Sequence, residues 1–115
     1  MKTAAPQVDR ELATEWASWF QAIGDPTRIL ILYLLSSERR PMTTGEITSH
    51  LDVGQSTVSH HLARLADVGF VLVERIGTTS RWRVNDTCIG AFPSAAEVIM
   101  GTVGPEFTDA LENRP

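Results

Sequence analysis

Residues 54–69 constrain the fold of this chain more than any other segment, because they combine an apolar face and a polar face at helical spacing. Apolar residues recur with a period of about 3.6 at Val58, Leu62, Leu65 and Val68. At about 100° per residue, the opposite side carries Ser56, His60 and Arg64. The hydroxyls of Thr57 and Ser59 lie on its flanks. The segment predicts a helix that ends at Gly69, with an aliphatic side toward a core and a nearly acid-free side toward solvent.

A second helix is predicted directly before this one. Thr43-Thr44-Gly45-Glu46 has the Thr-x-x-Glu form of a capping box, which begins a short helix that runs through Leu51. Asp52-Val53-Gly54 then forms a tight turn. The two helices and their turn predict a helix-turn-helix unit.

A β-hairpin is predicted directly after it. The β-rich runs 70–75 and 80–85 are joined by the turn residues 76–79. In the second run, Arg81 and Arg83 alternate with apolar residues, so both arginines are expected on the solvent-facing side of the hairpin.

Two helices are predicted before the helix-turn-helix unit. Asp9 is an N-cap candidate for an amphipathic helix over residues 10–23, and Gly24-Asp25-Pro26 ends that helix. The apolar run Ile29–Leu35 suits either a buried helix or a buried strand, although Pro26 at a first helical position and the short loop favour the helix. Residues 36–41 are expected to form a polar connector.

The end of the chain predicts one more helix, from Cys88 to Val103, which Pro93 is expected to start or kink. The domain organisation that follows is a loose tail over residues 1–8, one domain over 9–103, and a weakly ordered acidic tail over 104–115.

Composition excludes several classes of protein. With 115 residues and 43% apolar side chains, the chain is expected to form one globular domain. The longest apolar run has seven residues, far short of the ~20 needed to cross a bilayer, and no secretory signal follows Met1, so a cytoplasmic protein is expected. Cys88 is the only cysteine, which excludes an internal disulfide and any zinc site built from paired cysteines of one chain.

The net charge of −4 is distributed unevenly. Residues 54–85 carry four arginines and two carboxylates, a local charge of +2, whereas residues 86–115 carry a local charge of −4. The acidity of the whole chain therefore does not argue against a nucleic-acid partner for its middle part.

Together these elements predict a mainly α fold with a two-stranded β-wing, a winged helix-turn-helix. Such a fold places one helix in the major groove of double-stranded DNA and uses the wing on the adjacent backbone. The residues expected to contact DNA are Thr43, Thr44, Gln55, Ser56, Thr57, Ser59, His60, Arg64, Thr78, Thr79 and Arg81. The simpler interpretation of these side chains is a solvated surface helix.

Three motifs resemble the ArsR/SmtB-type winged-helix repressors of bacteria. They are the stretches 22–30 (Ala-Ile-Gly-Asp-Pro-Thr-Arg-Ile-Leu), 54–62 (Gly-Gln-Ser-Thr-Val-Ser-His-His-Leu) and 65–71 (Leu-Ala-Asp-Val-Gly-Phe-Val). The resemblance covers about Leu12 to Met100. It implies a homodimer joined through its first and last helices, two recognition helices in successive major grooves of an imperfect palindrome, and repression that a metal or another inducer relieves.

The terminal helices support a dimer independently, because they carry more large apolar surface than a small core covers easily. The residues expected at the dimer interface are Leu12, Trp16, Trp19, Phe20, Ile89, Phe92, Ile99 and Met100. The alternative is that the aromatic residues among them belong wholly to the core of one chain.

The metal sites of the resembling family are incomplete here. The family's Cys-x-Cys element corresponds to Glu46–Leu51, which contains no cysteine, and residues 86–103 contain no histidine for the Asp and His pairs of the last-helix zinc site. No cofactor is therefore expected, and Cys88 is most simply a small buried residue. A metal inducer stays open only if both protomers contribute ligands.

Catalysis is not expected. Ser59 and His60 are neighbours on one helix and cannot pair as nucleophile and base, and the chain has no phosphate-binding loop or nucleophile elbow. The stronger rival to a DNA-binding repressor is a winged-helix interaction module or co-repressor that needs a co-regulator protein before it holds DNA.

Overall fold

The computed structural model describes residues 8–101, and at residues 89–91 and 94 it describes the backbone alone. In chain order the elements are α1 (Arg10–Ala22), α2 (Pro26–Glu38), β1 (Met42–Thr43), α3 (Thr44–Thr48), α4 (Gln55–Asp67), β2 (Val71–Ile76), β3 (Thr79–Val84) and α5 (Asp86–Met100). The expected winged helix-turn-helix order is confirmed. The tails predicted over residues 1–8 and 104–115 lie outside the described residues, apart from Val8.

Local hydrogen bonds explain where the first two helices begin. The carboxylate of Asp9 accepts a hydrogen bond from the backbone N–H of Leu12 at 2.8 Å, which confirms the predicted cap of α1. Asp25 caps α2 in the same way, and Pro26 occupies the first position, where no backbone N–H is needed. The apolar run that follows is a helix, and the strand alternative is wrong.

The polar connector predicted over residues 36–41 is shorter than expected. Helix α2 continues through Glu38, because Ser36, Ser37 and Glu38 lie on exposed positions that a helix tolerates. Arg39 ends the helix in the left-handed conformation at φ 56°, and its N–H donates to the carbonyl of Leu35.

Helix α2 is not buried all round. Ile31 and Leu35 are buried in the core, whereas Ile29, Leu30 and Tyr33 are exposed, with Tyr33 at 71%. The continuous apolar run therefore hides an amphipathic arrangement, which the sequence pattern does not reveal.

The predicted hairpin is confirmed as β2 and β3, and the prediction of two strands is corrected by a third, since β1 pairs with β3 to give a sheet of order β1-β3-β2. Met42 pairs with Trp82, and Thr43 pairs with Arg81, which adds β1 to the outer edge of the hairpin. The turn of the hairpin is also tighter than predicted, because Ile76 and Thr79 pair with each other and leave only Gly77 and Thr78 between the strands. Gly77 has φ +64°, a conformation that favours glycine.

The core lies beneath α4 and the start of the wing. Val58, Leu62 and Leu65 of α4 are fully buried, as the apolar stripe predicts. Helix α4 ends at Asp67, and Gly69, two residues later, has a φ of +85° that allows the N–H of Phe70 to donate to the carbonyl of Leu65. This stop signal is confirmed, and it brings Phe70 into the core next to the helix.

Helix α5 begins at Asp86, two residues before the predicted start, and Pro93 lies inside it. Pro93 therefore does not start the helix. Asn85 fixes the entry instead, since its side chain donates to the carbonyl of Gly69 at 2.8 Å and its N–H donates to the carbonyl of Phe70. The helix ends at Met100, and residues 102 and 103 of the predicted helix lie outside the described part. No helix among residues 8–101 is long and apolar enough to span a membrane.

The capping box of α3 leads to a testable expectation about stability. The hydroxyl of Thr43 accepts from the N–H of Glu46 at 3.1 Å, and the Thr43 N–H donates to Glu46 at 2.9 Å. We expect Thr43→Ala to lower the free energy of unfolding by about 1 kcal/mol in urea denaturation. An unchanged denaturation midpoint would show that the cap contributes nothing.

The same contact gives the stability a dependence on acid. The hydrogen bond from the Thr43 N–H, with the charge of Arg40, holds the pKa of Glu46 below its ordinary value of 4.5 although desolvation opposes it. The stabilisation is therefore fully present above about pH 4.5 and is lost as the pH falls through the lowered pKa. Glu46→Gln, which does not titrate, is expected to show a smaller loss of stability over that pH range.

Candidate nucleic-acid interface

The outward face of α4 is open to solvent. Every predicted contact residue of this helix is exposed, namely Gln55, Ser56, Thr57, Ser59, His60 and Arg64. The residues between them, Val58 and Leu62, are buried, so the polar side chains are held on a rigid and well-packed helix. The two-sided character predicted for this segment is confirmed, while contact with DNA stays a prediction.

The first turn of α4 suits an approaching anion. Gly54 is the N-cap residue and makes no side-chain cap, and the first turn contains no acidic residue. The first backbone N–H groups of a helix have no partner within the helix. Together with the hydroxyls of Ser56 and Thr57, these groups are available to phosphate oxygens or base edges.

Thr43 and Thr44 have structural partners. Thr43 caps α3, as described above, and the hydroxyl of Thr44 accepts a hydrogen bond from the indole N–H of Trp82 at 2.9 Å. Both side chains are half-buried. The structure therefore shows these two residues fixing α3 against the wing, and their direct contact with DNA stays a prediction.

The wing projects its polar residues as expected. Thr78 and Thr79 are exposed at the tip, and Arg81 and Arg83 are exposed on the outward face of β3. Arg81 lies directly opposite Glu74 on β2, an acidic cross-strand neighbour that sequence reasoning did not bring into the site.

Arg75 is a wing residue that the predicted set of contacts omits. It is exposed near the tip, and its guanidinium donates to the hydroxyl of Ser80 at 3.2 Å. In the sequence Arg75 is the last residue before the predicted turn 76–79, and that position is the signal that could have included it in the candidate interface.

Three of the four aromatic residues predicted for the dimer interface, Trp19, Phe20 and Phe92, already pack within one chain. The ring centroids of Phe20 and Phe92 lie 4.8 Å apart, and those of Phe70 and Phe92 lie 5.8 Å apart. The ring centroid of Trp19 lies 6.3 Å from that of Phe70 and 6.5 Å from that of Phe92. Trp19, Phe20 and Phe92 remain half-buried, as do Leu12 and Trp16. This cluster joins α1 to α5, with Phe70 fully buried and the other three residues partly accessible.

The end of α5 is more open. Ile99 is half exposed and Met100 is 73% exposed, and the backbone alone is described at Ile89. The predicted role of all these residues in a dimer stays a prediction.

One chain does not by itself provide a metal site among the residues that the structure describes. Among them, no three His, Cys, Asp or Glu side chains lie close enough together to hold a metal ion. Cys88 is half-buried against the core, and burial, with the charge of Glu15, raises the pKa of its thiol. A thiol that resists ionisation is a poor metal ligand.

The arrangement of α3, α4 and the hairpin β2–β3 defines a winged helix-turn-helix fold. Residues 25–72 match the family model described as bacterial regulatory protein, arsR family. The HTH-type transcriptional regulator NmtR of Mycobacterium tuberculosis is 33% identical over 86 residues, which cover 75% of this chain and 69% of that one. The chain belongs to the ArsR family of transcriptional regulators, which are DNA-binding proteins and not enzymes.

Two further comparisons extend this assignment. The "probable mercury resistance operon repressor" of Streptomyces lividans is 36% identical over 85 residues, and the match covers 73% of this chain but only 61% of that relative. A solution structure from Mycobacterium bovis, described as a homodimeric winged helix-turn-helix DNA-binding domain, has a TM-score of 0.65 at 20% identity and covers 90% of this chain and 98% of that one. This last likeness shows the fold.

Proposed function

We propose that the chain is a cytoplasmic repressor that binds an imperfect palindromic operator as a homodimer. In this proposal α4 enters the major groove, and the wing, with Arg81, Thr78 and Thr79, lies on the adjacent backbone. The observation that carries the proposal is the exposed polar face of α4, which six side chains form and no carboxylate interrupts before Asp67.

The homodimer rests on α1 and α5. Trp19, Phe20 and Phe92 are half-buried and offer apolar surface to a second copy. Ile99 and Met100, at the end of α5, are exposed and add to that surface. The Mycobacterium bovis domain with the same fold is described as homodimeric, which supports this proposal. Two-fold pairing would present two copies of α4 to two half-sites of DNA.

The inducer belongs to the same proposal. Although one relative is named for mercury resistance, this chain has a single cysteine and no described metal-binding cluster. We therefore assign induction to something other than a metal ion. Elemental analysis of the purified dimer tests this, because stoichiometric zinc, nickel or cobalt in each chain would contradict it.

Selection of duplexes from a random-sequence pool tests the function itself. The purified full-length protein is expected to enrich a palindromic sequence, and its affinity for that operator is expected to fall steeply as salt concentration rises. An interaction module that needs a co-regulator protein would retain no specific sequence by itself. Failure to enrich any sequence at low salt would overturn the proposal.

Two alanine variants separate base recognition from backbone contact. We expect His60→Ala, on α4, to weaken binding to the selected operator about tenfold and to weaken binding to a random duplex much less. We expect Arg81→Ala, on the wing, to weaken binding to both duplexes by a similar factor. Fluorescence anisotropy with both duplexes measures the two ratios, and equal losses on every sequence for His60→Ala would contradict its groove-facing role.

A further inference from the structure

The side chains of Asp25, Arg28 and His61 form a group of polar contacts, here called the polar joint, that links α1, α2 and α4. The Nε of Arg28 donates to the carbonyl of Ala22, the last residue of α1, and its Nη1 lies 3.0 Å from Nδ1 of His61 on α4. Arg28 itself belongs to the first turn of α2. One side chain therefore connects the end of α1 to the middle of the recognition helix.

The chemistry of the guanidinium sets the orientation of His61. A guanidinium only donates hydrogen bonds, so Nδ1 of His61 accepts and the ring proton lies on Nε2. That Nε2 faces the carboxylate of Asp25 at 3.9 Å, which is too long for a hydrogen bond but places opposite partial charges together. The side chain of His61 is only 13% exposed, so water competes weakly for these contacts.

Asp25 is itself fixed. Its carboxylate accepts hydrogen bonds from the backbone N–H groups of Thr27 at 2.8 Å and Arg28 at 3.2 Å. Desolvation would raise the pKa of Asp25, but these hydrogen bonds and the nearby His61 and Arg28 hold it below its usual value. The carboxylate therefore stays ionised at neutral pH and anchors one side of the joint.

The position of His61 connects this joint to the proposed DNA contacts. His60 is exposed and precedes His61 directly, and adjacent residues of a helix point about 100° apart. Holding His61 against α2 therefore adds polar control to the rotation of α4, whose buried Val58, Leu62 and Leu65 already keep its polar side outward. Arg28 extends this control to α1, whose Trp19 and Phe20 contact Phe92 of α5.

We propose that Arg28 and His61 are positioning residues that set the rotation of α4 relative to the end of α1. They thereby couple the arrangement of the dimer to the recognition surface. This inference rests on the proposed function. The simpler role for Arg28 is to cap the C-terminal carbonyls of α1 and to contribute only to stability.

The test compares His61→Leu with His61→Asn in the full-length protein, with the selected operator and a random duplex as probes. Leucine removes the acceptor, whereas the amide oxygen of asparagine stands close to the position of Nδ1 and can accept from Arg28. Leucine has the higher helix propensity of the two. A change in helix stability alone would therefore make His61→Asn the weaker binder, which is the opposite of the expected order. We expect His61→Leu to weaken operator binding about tenfold with little effect on the random duplex, and His61→Asn to remain within about threefold of the parent protein.

Arg28→Met and the double variant Arg28→Met/His61→Leu complete the cycle. If the two side chains act through one contact, the loss of operator affinity in the double variant is expected not to exceed the larger of the two single losses. The inference would be overturned if the double variant lost affinity by the product of the two single losses. It would also be overturned if the variants lost as much affinity for the random duplex as for the operator, or if His61→Asn bound the operator as weakly as His61→Leu. If Arg28→Met does not fold, the comparison of the two His61 variants decides alone.

These outcomes also separate the inference from the proposed function. If the parent protein enriches an operator but the His61 variants bind it as the parent does, only the positioning role fails. If the parent protein prefers no sequence, the proposed function fails, and the positioning role fails with it.

Discussion

Ser59→Glu is expected to abolish operator binding without changing the fold. Ser59 is exposed on α4 and lies between the helix N-terminus and His60, where the proposed major-groove contacts concentrate. A carboxylate at that position would face the phosphates and base acceptors of the groove, and like charges a few ångströms apart repel strongly where water is excluded. We expect at least a hundredfold loss of affinity in fluorescence anisotropy, with an unchanged helical circular dichroism spectrum.

Ser37→Glu is the matched control for that variant. Ser37 is an exposed helical serine of α2, outside the proposed interface, and the substitution changes the net charge by the same amount. We expect its effect on operator affinity to be within about threefold, because Ser37 makes none of the proposed contacts and salt screens the interactions of exposed charges. Equal losses from the two variants would show that net charge, and not the face of α4, controls binding.

Leu62→Ala is expected to lower the free energy of unfolding by about 3 kcal/mol. Leu62 is fully buried between the polar residues of α4, in the core that also contains Ile31 and Val58. Truncation leaves a cavity in addition to the lost transfer free energy, so Leu→Ala in cores costs about 2–5 kcal/mol. Urea denaturation of the parent and the variant measures the difference.

Leu30→Ala provides the same chemical change at an exposed site. Leu30 is 52% exposed on the outer face of α2, so its truncation is expected to cost less than about 1 kcal/mol. A loss from Leu30→Ala as large as that from Leu62→Ala would mean that the outer face of α2 is covered in solution.

The two-sided helix α4 could be predicted because both of its signals are local. The spacing of Val58, Leu62 and Leu65 fixes which side is buried, and Gly69 fixes where the helix ends. The capping box of α3 is equally local, since its two partners are three residues apart. Periodicity and capping therefore gave the recognition unit and the polar side chains that it exposes.

The features that the sequence did not reveal depend on contacts between distant segments. Strand β1 has only two residues, too few to show a period, and forms because Met42 meets Trp82. The contact of Arg28 with His61 joins residues 33 positions apart, and the bond between Trp82 and Thr44 spans 38 positions. No local pattern reports such pairs, so the joint beneath α4 becomes visible only in three dimensions.

For the terminal helices α1 and α5, the sequence predicts the amount of apolar surface but not what covers it. Their composition indicated more apolar surface than a small core needs, but it does not divide that surface between the core and a partner. The structure assigns part of Trp19, Phe20 and Phe92 to contacts within one chain and leaves Ile99 and Met100 open. Only the surface that remains accessible is available for a second copy.

The most direct test of the account is to map backbone amide shifts by NMR as the selected operator duplex is added to the full-length protein. We expect the largest changes in residues 55–64 of α4 and residues 77–81 of the wing. The exposed apolar face of α2, at Ile29 and Tyr33, is expected to change little. Shifts confined to α1, α2 or α5, with α4 unaffected, would contradict the assignment of α4 as the DNA-binding surface.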